Sequence, residues 1–254
     1  MEKKIRETFY KIVVVGVGGT GGLLANFLAK SLCDKNNVRL SLVDADIVER
    51  KNLLRQPYTM DDIGCCKAEA LAGALTDVYN MTVLGFNCFI NNAEDIRNIF
   101  NNAATSDETG GKLIVNILCG CVDNHACRKA MHDYFSMADS NLLYIDSGNE
   151  FSYGEVVFGA KKGRTILSPD KVFYFPDLFD GELKPRSEQS CEELNDAAPQ
   201  HLCTNLMASN IMLSGILSFM NDGNYPAGIV HFDSGITGGF RLKKVAYAGG
   251  GETA

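Results

Sequence analysis

The feature that most limits how this chain folds is the run Lys11-Ile12-Val13-Val14-Val15-Gly16, followed at once by Val17-Gly18-Gly19-Thr20-Gly21. A continuous apolar, β-branched stretch reads as a strand buried on both faces. Leu23, Leu24, Phe27, Leu28 and Leu32 then recur at helical spacing, and Val38 to Val43 is a second apolar run. Strand, glycine turn, helix and strand within about thirty residues make a βαβ unit, whose right-handed crossover sets the strands parallel.

The glycines fit G-x-G-x-x-G where the pattern has physical meaning, after a strand and at the opening of a helix. Such a turn brings backbone N–H groups close to phosphate, and the helix N-terminus adds positive potential. Asp44, twenty-eight residues after Gly16, ends the second strand. A carboxylate there accepts hydrogen bonds from two ribose hydroxyls. Gly16, Gly18, Gly19, Gly21 and Asp44 therefore predict an adenosine-containing ligand. NAD, FAD, S-adenosylmethionine and ATP all remain open at this point.

Beyond Val43 the periodicity predicts a helix through Leu71, Leu75 and Val78, a strand over 81–89 and a helix over 92–102. A polar loop at 105–111, a strand from Lys112 to Leu118 and a helical stripe from Cys127 to Ala138 follow. Alternation of this kind predicts an α/β, Rossmann-like fold, a mostly parallel sheet with helices on both faces. It fills residues 1–147, the nucleotide-binding half. After it, four of the six prolines fall between 169 and 199, Glu155–Phe158 and Lys171–Phe175 read as short strands, and 148–247 reads as a crossing segment and C-terminal half. An uncharged helix over 203–220 and antiparallel strands at 227–233 and 239–247 complete the sheet. Residues 1–247 are expected to form one domain, and 248–254 a flexible tail.

The balance of 24 Lys+Arg against 31 Asp+Glu, without a basic block, argues against a nucleic-acid partner. Asn205, Ser209, Asn210, Ser214 and Ser218 make 203–220 a buried helix rather than a membrane span. The start of the chain runs from a basic stretch directly into the first strand, without a signal-peptide cleavage pattern. Nine cysteines, mostly inside apolar segments, point to reduced thiols and a cytoplasmic setting.

The segment from Val43 to Leu71 carries the most specific signal: Asp44, Asp46, Glu49, Asn52-Leu53, Arg55-Gln56, Asp62-Ile63-Gly64 and Lys67-Ala68. With Val122-Asp123-Asn124 and Arg128 behind the strand at 114–118, this string resembles the adenylating family that includes ThiF, MoeB and the ubiquitin-activating enzymes. Within it, the start GVGGTG and the segment Ser190-Cys191-Glu192-Glu193-Leu194 are most similar to the ThiF-like proteins of PRTRC systems. The resemblance implies an ATP-dependent adenylyltransferase that activates a carboxylate, with release of pyrophosphate. The acid it implies is the C-terminal glycine of a small ubiquitin-like protein, and the oligomer it implies is a homodimer.

It further implies that Asn52, Arg55 and Lys67 contact phosphate, that Gln56 either does so or is structural, and that Asp123 is associated with Mg2+. Asp123 precedes a helical stripe and reads equally as its N-cap. Cys191 matches the family's transferring cysteine, although Glu188, Glu192 and Glu193 around it disfavour a thiolate, and a packing role stands beside the catalytic one. The spacings of Cys65-Cys66 and Cys119-x-Cys121 do not suit the structural zinc that many relatives hold, so no zinc is expected. The resemblance also implies an arginine supplied from the N-terminal stretch to a neighbouring subunit's nucleotide, and Arg6 is the sole arginine before the glycine turn. Two alternatives are an NAD-dependent oxidoreductase, which leaves Asn52, Arg55, Lys67 and Asp123 unexplained, and a nucleotide-binding partner protein without turnover.

Overall fold

The computed structural model describes residues 7–181, 183, 200–235 and 240–247. Its centre is β1 (Thr8–Val15), which pairs in parallel with β2 (Val38–Val43) on one side and with β4 (Leu113–Gly120) on the other. Strand periodicity divides its side chains between two cores. Ile12 and Val14 join the core under α1 (Gly19–Leu32), α2 (Lys67–Tyr79) and α7 (Leu202–Asp222). Val13 and Val15 join the core under α3 (Ala93–Asn102) and α5 (His125–Met137). The unbroken apolar run is thus the signature of a strand covered on both faces.

β3 (Val83–Phe86) lies outside β2, and β5 (Asn141–Asn149) outside β4, again in parallel. The sheet then reverses. β6 (Tyr153–Lys162), β8 (Gly228–Ser234) and β9 (Phe240–Val245) continue it antiparallel, and β7 (Thr165–Ser168) pairs with the far end of β6. The spatial order is β3-β2-β1-β4-β5-β6-β8-β9. Because the chain leaves β1 toward β2 on one side and places β4 on the other, a crevice opens at the C-terminal ends of these strands, the usual ligand position in an open α/β sheet.

Two buried lysines close helix ends. Lys11 on β1 donates to the Phe100 carbonyl at 2.9 Å, at the end of α3. Lys161 on β6 donates to the Phe135, Ser136 and Ala138 carbonyls at the end of α5. A cation on the unpaired carbonyls of a helix C-terminus complements the macrodipole and satisfies groups the helix leaves open.

Several local expectations change. The strand over 81–89 is shorter, confined to Val83–Phe86. Within the loop at 105–111, Thr105 and Glu108 form a capping box that winds one helical turn, α4 (Ser106–Thr109). Lys171–Phe175 is no strand: Asp170 precedes it as N-cap and Lys171–Tyr174 is a helical turn, α6. The N-cap of α5 is Asn124, whose Oδ1 accepts from the Cys127 N–H at 2.9 Å, so Asp123 does not cap the helix. α7 is long and apolar enough to cross a membrane by length and composition. Here Ala208, Met212, Ile216 and Phe219 pack one of its faces into the core beside α1 and the sheet. The expected tail at 248–254 lies outside the described residues.

Candidate active site

The crevice is a cleft of about 770 Å3. Gly16, Gly18, Gly19, Asp44, Asn52, Arg55, Gln56, Lys67 and Asp123 all line it, so residues spread over more than a hundred positions meet in one place. Gly21 stands behind the turn rather than in the cleft, and Cys191 and Arg6 lie outside the described residues.

The glycines differ in what they are needed for. Gly16 has φ +81°, a backbone state open mainly to glycine. A Cβ on Gly21 would sit 1.9 Å from the Gly16 carbonyl oxygen, so this glycine allows the helix to pack against the turn. At Gly18 a Cβ would meet Gln56 Nε2 at 3.6 Å, an ordinary contact, so no clash within the fold demands glycine there. Gly18 is also the N-cap of α1 and offers no side-chain cap, leaving first-turn N–H groups for a ligand.

Asp44 follows β2 directly. Its Oδ2 accepts from the Val17 N–H and its Oδ1 from the Asp46 N–H, both at 2.9 Å. A carboxylate has about four lone-pair positions, so two remain for ligand hydroxyls. Burial pushes its pKa up, against the opposing pull of the Lys67 ammonium. Lys67, buried at the start of α2, reaches Asp46 Oδ2 at 3.2 Å. Asn52 Oδ1 accepts from the Glu49 N–H at 2.8 Å in a capping box that shapes the short 3-10 helix Arg50–Leu54. That helix delivers Arg55 and Gln56 to the cleft, and the Arg55 guanidinium reaches the Gln200 carbonyl at 3.4 Å. Tyr58, which pattern reading missed, donates its hydroxyl to the Val17 carbonyl at 2.7 Å and so fastens this loop to the glycine turn.

The far wall of the cleft holds a buried charge cluster. Asp146 on β5 accepts from Arg128 Nε at 3.1 Å, from Lys171 Nζ at 3.1 Å and from the Tyr144 hydroxyl at 2.7 Å. Lys171 also pairs with Glu155 at 2.8 Å, and Arg128 donates to the Ser147 carbonyl at 2.7 Å. Burial alone would raise the Asp146 pKa, but Lys171 and Arg128 outweigh it and hold the carboxyl below its ordinary value. Asp146, Glu155 and Lys171 were not recognised from sequence; the lone acid inside the apolar run LLYID was the available signal.

Cys88, Cys121 and Cys127 also line the cleft. Burial raises all three thiol pKa values, those of Cys121 and Cys127 to about 12, which leaves them protonated and weak as nucleophiles at neutral pH. Among the described residues no group of three or more His, Cys, Asp or Glu is placed to hold a metal ion.

The mostly parallel sheet, the uncapped glycine turn and the crevice at the strand ends define an α/β protein of the Rossmann-like class. More narrowly, the chain belongs to the ThiF family, whose model matches residues 2–229. Ubiquitin-like modifier-activating enzyme 5 of Drosophila willistoni is 32% identical over 147 residues, which is 58% of this chain and 34% of that protein. The Caenorhabditis elegans enzyme of the same name is 30% identical over 149 residues, 58% of this chain and 33% of that one. The matched stretch thus spans about a third of these relatives' length. Among solved structures, E. coli MccB with ATP shares the fold with a TM-score of 0.61 at 17% identity, over 93% of this chain and 63% of that one. PaaA does so with a TM-score of 0.58 at 20% identity, over 94% and 64%.

Proposed function

We propose that this protein adenylates a carboxylate at the expense of ATP. The observation that carries the reading is the convergence of the glycine turn, Asp44, Arg55, Lys67 and Asp123 on one cleft. Asp44 would hold the ribose, and the N–H groups of the turn, with Asn52, Arg55 and Lys67, would hold the phosphates. A carboxylate oxygen of the acid attacks the α-phosphorus, the bond from that phosphorus to the bridging oxygen breaks, and pyrophosphate leaves with the electron pair. The fixed cations stabilise charge growing on the leaving group without reorganising, the principal electrostatic contribution of such sites.

Magnesium suits the donor set, because it is bound through one or two carboxylates and substrate phosphates rather than a full protein cage. Asp123, an exposed carboxylate at the cleft, would hold it. When bound, the ion would neutralise charge on the polyphosphate. For the acid we propose the C-terminal carboxylate of a small ubiquitin-like protein. The curated relatives are named as activating enzymes for such modifiers, and MccB has been solved with MccA. Exchange of labelled pyrophosphate into ATP, dependent on a small protein ending in Gly-Gly, tests the reading. Exchange that disappears in Asp123→Ala supports it. Nucleotide binding without exchange under any carboxylate protein leaves the partner without turnover as the better account.

A further inference from the structure

We infer that a hydrogen-bonded relay through Gln200, Asn149, Thr20 and Asn205 sets the position of the glycine turn relative to Arg55, making Asn149 and Asn205 positioning residues for the nucleotide's phosphates. The inference rests on the adenylation reading for its phosphate, while its geometry is independent of the acid.

Thr20 lies in the first turn of α1, directly after the two glycines that face the cleft. Its hydroxyl makes two side-chain bonds. It donates to Asn205 Oδ1 at 3.2 Å and accepts from Asn149 Nδ2 at 2.7 Å, and Asn149 Nδ2 also lies 3.4 Å from Asn205 Oδ1. These bonds join the turn to the end of β5 and the start of α7, segments 129 and 185 residues away in sequence. With no side-chain cap from Gly18, they are the side-chain anchors at this helix start, and they leave its N–H groups unused.

Asn205 is fully buried and cannot itself touch a ligand. Its amide lies against the main chain of Gly19, where a Cβ would be only 2.1 Å from Nδ2. A side chain at 19 would therefore collide with this asparagine, whereas one at 18 would only touch Gln56 at 3.6 Å. On the other side, the Asn149 carbonyl accepts from Gln200 Nε2 at 3.1 Å, and the Gln200 carbonyl accepts from Arg55 at 3.4 Å. One asparagine thus ties the turn that would cradle phosphate to the arginine that would neutralise it.

The cluster is also costly to keep. Among the described residues, Asn149 Oδ1 and Asn205 Nδ2 are buried without a hydrogen-bond partner. Unsatisfied buried polar atoms destabilise, so apolar side chains would serve packing better at both places. What the two amides retain are the bonds aimed at Thr20.

The test is calorimetric titration of the full chain with ATP and Mg2+, alongside thermal melting, for Thr20→Val, Thr20→Ser, Asn149→Ala and the Thr20→Val/Asn149→Ala double variant. Valine keeps the branched shape and removes the hydroxyl; serine keeps the hydroxyl. A lost neutral hydrogen bond that aims the turn should weaken binding by roughly tenfold in Thr20→Val and in Asn149→Ala. The double variant should lose clearly less than the sum of the two single losses, because both remove the Thr20–Asn149 bond, and Thr20→Ser should bind as the wild type does. Thr20→Val with wild-type affinity, even with a lowered melting temperature, overturns the relay, as do losses that simply add in the double variant. Wild-type protein that binds no ATP overturns the adenylation reading and the relay together. Wild-type binding with the expected variant pattern but no pyrophosphate exchange leaves the relay standing and removes only the adenylation reading.

Discussion

Replacing Asp146 by Asn should remove a large part of the protein's stability. The carboxylate is 1% exposed and accepts from two cations and a phenol, so it is the electrostatic centre of its surroundings. The amide has nearly the same shape but no charge: its oxygen can stay on Arg128 and Lys171, while its NH2 group meets the Tyr144 hydroxyl, which must then turn from donor to acceptor. Arg128 would keep the Ser147 carbonyl and Lys171 would keep Glu155, yet one buried positive charge is left without a counter-charge. Removing one partner of a buried pair costs about 3–5 kcal/mol. Against a total of about 5–15 kcal/mol this is a large fraction. For a chain of this size it corresponds to roughly 6–20 °C in melting temperature.

The pH dependence gives a second reading of the same variant. Asp146 is held below the ordinary carboxylate value in the folded state. Its stabilisation is therefore fully present above the unfolded value of about 3.9 and is lost as pH falls through the lower folded value. The wild type should lose this stability below about pH 4, and Asp146→Asn should lack that part of the acid limb. Urea unfolding followed by circular dichroism from pH 3 to 8 measures both. A loss under about 1 kcal/mol at pH 7, within the range of an exposed pair, would refute the reasoning that the cluster acts as a buried counter-charge system.

Other outcomes follow from single contacts. Gly18→Ala should lose nucleotide affinity on calorimetry, since its Cβ would stand at the cleft beside Gln56, whereas Gly21→Ala should fold poorly, with 1.9 Å between its Cβ and the Gly16 carbonyl. Lys161→Met should lower stability by roughly 1–3 kcal/mol in urea unfolding, because the carbonyls at the end of α5 lose their donor inside the protein. The His132 ring bonds Asp170 Oδ2 at 2.6 Å, which raises its pKa above 6.5. Its contribution is fully present below that value and lost as pH rises through the folded one, so the wild-type melting temperature should decline there and His132→Gln should not show that slope.

How much of this was legible in the sequence depends on the range of the interaction. The first βαβ unit was readable because β1 buries both faces and because a glycine turn between strand and helix has few alternative uses. The cleft wall from Asp44 to Lys67 was readable for a similar reason: the residues follow one another along a single loop, so their order survives in the string. The cluster on the opposite wall was not, because Arg128, Asp146, Glu155 and Lys171 come from four elements brought together by pairing across the sheet. Lys171 was read as part of a strand since its apolar neighbours resemble one over four residues, and the competing signal was Asp170 as an N-cap. Asp123 lost its expected cap role to its neighbour by one position, and helix starts are commonly uncertain by that much. The contact between Thr20 and Asn205 leaves no sequence pattern, since their bond spans 185 residues.

The central claim is that this cleft takes a nucleoside triphosphate, and direct titration tests it most plainly. Calorimetry of the wild-type chain with ATP and Mg2+, and separately with NAD, should give saturable heat for the triphosphate alone, and Asp44→Ala should abolish it. Saturable heat with NAD and none with ATP would contradict the account.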